Sequence, residues 1–108
     1  LALAPAPIIY YIYIYIIMYK ITEYTKKQAR RLGVEVKPSN RANKKIDVFK
    51  DGKRIASIGH KAYGDFPTFT KTRGKEYANE RRRLYKIRHE KTRHKKNTPS
   101  YWADQLLW

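Results

Sequence analysis

Apolar and polar positions change rhythm several times along this chain. From Leu1 to Tyr19 nearly every position is apolar, and Tyr11-Ile12-Tyr13-Ile14-Tyr15-Ile16 alternates two strand-favouring residue types, leaving no polar face. Lys20–Leu32 is polar with a few apolar positions (Ile21, Tyr24, Ala29, Leu32) and predicts a short helix. Thr22 suits its N-cap, Glu23 and Lys27 form an i,i+4 pair, and Gly33 suits a left-handed C-cap. Val34–Ser39 is expected to be extended, because Pro38 disfavours helical geometry at Lys37. Ser39–Lys45 is a polar, basic loop.

Ile46–Ile58 is the clearest local signal. Ile46 and Val48 alternate with Asp47 and Phe49, Asp51-Gly52 follows, and Arg54, Ala56 and Ile58 alternate with Ile55 and Ser57. Asp-Gly between two strand-prone runs predicts a β-hairpin turning at Asp51 and Gly52. After the glycine-bounded loop Gly59–Gly64, Pro67 suits the first turn of a helix, with Asp65, Phe66 or Thr68 at its start. From about Thr68 to Lys95 the spacing predicts one long helix, or two meeting at Gly74. Its apolar stripe is Tyr77, Leu84 and Ile87, flanked by Ala78 and Tyr85. Asn97-Thr98-Pro99 ends it, and Ser100 is the expected cap of a final aromatic helix, Tyr101–Trp108. The fold class is α+β: an apolar arm over 1–19, then one small basic domain over 20–108.

The arm admits four readings. Ile8–Tyr19 is shorter than the roughly 20 residues that span a bilayer, and Pro5 and Pro7 interrupt the stretch before it. The bases that follow (Lys20, Lys26, Lys27, Arg30, Arg31) would nevertheless suit the cytoplasmic flank of a spanning segment. A signal peptide fits poorly, since no positive region precedes the apolar run. A strand-like arm needs a partner to cover it. Finally, Met18 is the only methionine, and an alternating A/T tract read in frame encodes Tyr-Ile repeats, so 1–17 can be translated upstream sequence.

Charge separates the arm from the body. All 9 acids and all 25 Lys and Arg of the 108 residues lie from Lys20 onward, for a net charge of +16. Lys71–Lys96 alone holds twelve bases and three acids. A solvated face explains some of this, but like charges at helical spacing repel, and an anionic neighbour would relieve them. Arg81, Arg82, Arg83, Lys86, Arg88, Arg93, Lys95 and Lys96 are therefore the candidate contacts to such a partner. Nucleic acid is the obvious anionic class, followed by acidic protein surfaces and lipid headgroups. Tyr101, Trp102, Leu106 and Trp108 are candidate docking residues, as an aromatic terminus either folds back on the core or anchors an interface.

The chain carries no catalytic constellation. It has no cysteine, which excludes disulfides, thiolate zinc sites and thiol nucleophiles. His60, His89 and His94 lack carboxylates at metal-ligand spacing, Glu80 with Arg83 and Lys86 with Glu90 read as surface pairs, and no phosphate-cradling glycine loop is present. No enzyme activity, metal or cofactor is expected.

Several short motifs occur together in order. They include Lys44-Lys45-Ile46-Asp47-Val48-Phe49, Gly52-Lys53-Arg54-Ile55-Ala56-Ser57-Ile58-Gly59, and Tyr63-Gly64-Asp65-Phe66-Pro67-Thr68-Phe69. Gly74-Lys75-Glu76-Tyr77-Ala78, Arg81-Arg82-Arg83-Leu84-Tyr85-Lys86-Ile87-Arg88-His89 and Tyr101-Trp102-Ala103-Asp104-Gln105-Leu106-Leu107-Trp108 follow. Over roughly Val36–Trp108 the chain resembles a family of small basic proteins encoded by nucleocytoplasmic large DNA viruses, those of algae especially. The resemblance implies a non-enzymatic virion protein, specifically a minor capsid protein that cements major and other minor capsid proteins on the inner shell face. A DNA-condensing protein, or a virion protein anchored in an inner membrane through 1–19, are the alternatives.

Overall fold

The computed structural model describes residues 7–9 and 18–108, so most of the apolar arm lies outside the described residues. The body is the expected α+β unit, in the order α1 (Glu23–Leu32), β1 (Glu35–Pro38), β2 (Lys44–Lys50), β3 (Lys53–His60), α2 (Phe66–Arg73), α3 (Lys75–Arg88) and α4 (Pro99–Leu107). Among the described residues no helix is long and apolar enough to cross a membrane.

The hairpin forms where the sequence places it. Asp51 and Gly52 both have positive φ (51° and 78°), as a two-residue turn matched to strand twist requires. The extended Val34–Ser39 stretch supplies β1, which pairs antiparallel with β2 in register Val36↔Val48, and the sheet order is β1-β2-β3. Ile46 faces Ile58, and Val48 faces Ala56. The next pair is Phe49↔Arg54, leaving Ile55 as an extra residue on β3, a bulge that leaves its side chain exposed.

One face of this sheet makes the core. Ile46, Val48, Ala56 and Ile58 pack with Ala29 and Val34 and with Trp102, Leu106 and Leu107 of α4. Helix α1 has the expected caps: Thr22 Oγ1 accepts from the Thr25 amide, and Gly33 is left-handed at φ 71°. Its ion pair differs from expectation, with Glu23 meeting Lys26 at 3.3 Å instead of Lys27. The end of α4 has no glycine cap, and α1 supplies one. Thr25 Oγ1 donates to the Leu106 carbonyl at 2.8 Å, and Gln28 Nε2 donates to the Gln105 carbonyl at 3.1 Å.

The basic helix is two helices. Gly74 (φ 91°, ψ 162°) breaks it, with Asp65 capping α2 through the Thr68 amide at 3.0 Å. Helix α3 ends at Arg88, short of Lys95, and tight turns carry the chain through His89–Thr98. This reversal lets α4 return to the sheet. Thr98, not Ser100, caps α4, accepting from the Tyr101 amide at 3.3 Å. The buried positions of α3 are Ala78 and Tyr85, while Leu84 (37%) and Ile87 (63%) are exposed. Of the expected Tyr77–Leu84–Ile87 stripe only Tyr77 packs, edge-on against Phe69 of α2 at 5.2 Å, and the buried face of α3 runs instead through Ala78 and Tyr85, with Trp108 stacked on Tyr85.

Candidate site for an anionic partner

Successive residues on a helix point about 100° apart, so Arg81, Arg82 and Arg83 cannot form one patch. Arg81 lies over the Phe69 ring, its guanidinium carbon 5.9 Å from the centroid. Arg82 stacks on Phe66 at 3.7 Å and donates to Asn79 Oδ1 at 3.1 Å. Arg83 makes a two-pronged pair with Glu80, at 3.0 and 2.6 Å. The hydrogen bonds from Arg83 hold the Glu80 carboxyl below its usual range.

Lys86 and Arg93 serve the fold. Lys86 Nζ lies 2.9 Å from Asp104 Oδ1, and Arg93 Nη1 lies 3.5 Å from Asp104 Oδ2. The Asp104 side chain is 2% exposed, so these two cations compensate a buried carboxylate. Their assignment to an external partner is corrected accordingly, as is the Lys86–Glu90 pair. Glu90 instead meets His94 at 2.7 Å and Arg93 at 2.8 Å, and these hydrogen bonds, His94 first, hold its carboxyl below the usual range. Arg88, Lys95 and Lys96 remain exposed and make no ion pair among the described residues.

Two other buried acids are neutralised from within. Asp65 is fully buried and holds Lys45 Nζ and the Tyr19 hydroxyl, both at 2.8 Å on Oδ2. Burial, then the Asp65 charge, drives the Tyr19 phenol well above its ordinary pKa. Tyr19, grouped with the arm in the sequence, thus belongs to the packed body. Asp47 accepts from Ser57 Oγ at 2.6 Å, with Arg54 at 3.9 Å.

The docking assignment needs correction in part. Trp102 (5% exposed) and Leu106 (0%) are core residues, because the apolar face of α4 is spent on the sheet. Tyr101 is half-buried against Trp102, with ring centroids 5.0 Å apart. Trp108 is half-buried and stacks on Tyr85 at 4.4 Å and 9°, and Tyr85 stacks in turn on His89 at 4.2 Å. Burial, with the nearby Asp104 charge, pushes the Tyr85 phenol up to about 12. Burial, then Arg88, holds the His89 imidazole below its ordinary value. Asp51 and Gly52 form an exposed turn, and Asp51 makes no ion pair or side-chain hydrogen bond among the described residues.

Sequence reasoning missed Asp65 and Asp104 as organising groups. An aspartate before a proline signals a helix cap, which accounts for Asp65, but nothing in spacing points to a partner 20 residues away. Among the described residues no three His, Asp or Glu side chains cluster to hold a metal ion. Compared with protein-family models, curated proteins and solved structures, the chain matches none of them.

Proposed function

We propose that this chain is a non-enzymatic structural protein of a virus particle, a minor capsid protein lying on the inner face of the shell and bridging larger capsid subunits. The resemblance over Val36–Trp108 suggests the setting. The observation that carries the reading is how charge is used: the three buried acids Asp47, Asp65 and Asp104 each take cations from within the chain. Most remaining bases point outward from a small body, which favours seating against anionic neighbours. With Trp102 and Leu106 spent on the core, docking falls to the basic surface and to exposed Ile87 and Leu84 on α3. Because β2 is paired on both sides, strand addition to a neighbour's sheet would use the outer edge of β1 or β3.

Opened particles treated with nuclease test the reading. Retention on the shell at fixed stoichiometry supports it, and complete release overturns it in favour of the second reading, a protein that condenses viral DNA. Arg88, Lys95 and Lys96, exposed and without an ion pair among the described residues, favour that second reading, which requires salt-sensitive binding to duplex DNA by the purified chain. An inner-membrane anchor would rest on the apolar residues before Tyr19, which itself packs on Asp65, and would show as extraction of the chain only by detergent.

A further inference from the structure

A cavity of about 710 Å³ opens between the start of β2, the end of β3, the loop after it, α2, α3, α4 and Trp108. It is within the size range of small-ligand sites. Lys44, His60, Arg81, Arg88 and His89 line it, together with Lys45 and one side-chain carboxylate, Asp65. That carboxylate is spent. Its Oδ2 already holds Lys45 and Tyr19, and its Oδ1 accepts the Thr68 amide. The cavity therefore presents uncompensated positive charge.

Two further observations narrow the ligand. Arg81 lies over the Phe69 ring and makes no ion pair among the described residues, so its guanidinium charge on the cavity wall is left for an anion. At the mouth, the Tyr63 ring is 71% exposed, resting only tilted against His60 with centroids 5.0 Å apart. A large exposed ring beside a cationic cavity suits a planar group stacked above a bound anion. By contrast, Tyr85 is no platform, since His89 and Trp108 both stack on it.

We infer that this cavity binds a nucleotide unit, its phosphate held by Arg81, Arg88 and Lys44 and its base stacked on Tyr63. The unit can be a free nucleotide or one residue of a single strand, since both present the same phosphate and base. The site is separate from shell docking. Arg82, Arg83, Leu84 and Ile87 do not line it.

The test is calorimetric titration of the full chain with inorganic phosphate, dAMP and a ten-residue deoxyadenylate strand. Tyr63→Ala and Arg88→Gln alter exposed side chains, so both are expected to fold, and thermal melting checks that they do. The expected result is one dAMP per chain, bound at least about tenfold tighter than phosphate. Tyr63→Ala should remove that preference, while Arg88→Gln should weaken dAMP and phosphate together. A strand that binds more tightly per site than dAMP, with its advantage lost in Tyr63→Ala, identifies the single-strand source; equal affinities identify the free nucleotide. Equal binding of dAMP and phosphate, no saturable binding, or a Tyr63→Ala protein that binds dAMP normally overturns the assignment. So does binding to duplex DNA alone that neither variant alters. Shell retention in nuclease-treated particles is read separately, so either proposal can fail while the other stands.

Discussion

Lys86 on α3 places its ammonium 2.9 Å from a carboxylate oxygen of Asp104 on α4, across 18 residues of intervening chain. The pair fastens the basic helix to the C-terminal helix, with Arg93 closing on the other oxygen. Lys86→Ala is expected to destabilise the protein by about 1–3 kcal/mol, because a buried carboxylate loses its nearer cation while Arg93 and solvent compensate in part. Urea denaturation measures this, and an unchanged midpoint would show that Arg93 suffices.

Trp102 separates a core role from a docking role. Being 5% exposed and packed with the β-sheet residues, it is expected to cost about 3–5 kcal/mol when cut to alanine, enough to abolish most of the stability of so small a domain. Thermal melting by circular dichroism reads the loss. A Trp102→Ala protein that melts normally but leaves the particle would restore the docking assignment.

Gly64 sits where the Phe69 ring passes beneath the chain, and a Cβ added there would fall inside that ring. Gly64→Ala is expected to lower the melting temperature by displacing Phe69, which packs edge-on against Tyr77 at 5.2 Å and near Trp108 at 6.3 Å. The double variant Gly64→Ala with Phe69→Ala should show less than the sum of the two single losses. Strict additivity would exclude the clash as the cause.

Alkaline pH tests the buried phenol of Tyr85. Its folded pKa is raised from 10.0 to about 12, so the folded state keeps a proton that the unfolded state gives up. The stability this group contributes is whole below pH 10 and declines as pH rises from 10 towards 12. Tyr85→Phe removes that dependence, so the variant should lose less stability than the native chain between pH 9 and 11. Parallel curves for the two proteins would refute it.

The charged surface of α3 gives a prediction about assembly. Arg82→Glu together with Arg83→Glu reverses two charges without touching the Asp104 cluster or the cavity. On the proposed capsid role, the ratio of this protein to major capsid protein in purified particles should fall several-fold, with a melting temperature lowered only by the loss of the exposed Arg83–Glu80 pair and the Arg82–Phe66 stacking. An unaltered ratio would remove this face from the docking surface.

Local structure was legible where its causes are local. The Asp51-Gly52 hairpin and the Thr22 and Gly33 caps depend on neighbouring residues and stand as read, while Gly74 and Pro67 mark a break and a first turn among alternatives that the structure resolves to two helices, the first starting at Phe66 behind Asp65. The α+β class also stands, because two strand-prone runs between helical stretches allow little else.

What the tertiary structure alone decided is which partner each side chain meets. Lys86 has an acid four residues away in Glu90, yet meets Asp104, because a carboxylate deprived of water holds a cation more strongly than an exposed one does. The aromatic terminus could equally have faced a partner. The sheet needs an apolar cover, so Trp102 and Leu106 turn inward. The three arginines are adjacent in sequence but diverge in space, since each helical step rotates the side chain by about 100°. The cavity beside Tyr63 exists only where two strands, a loop and three helices converge, which no spacing along the chain encodes.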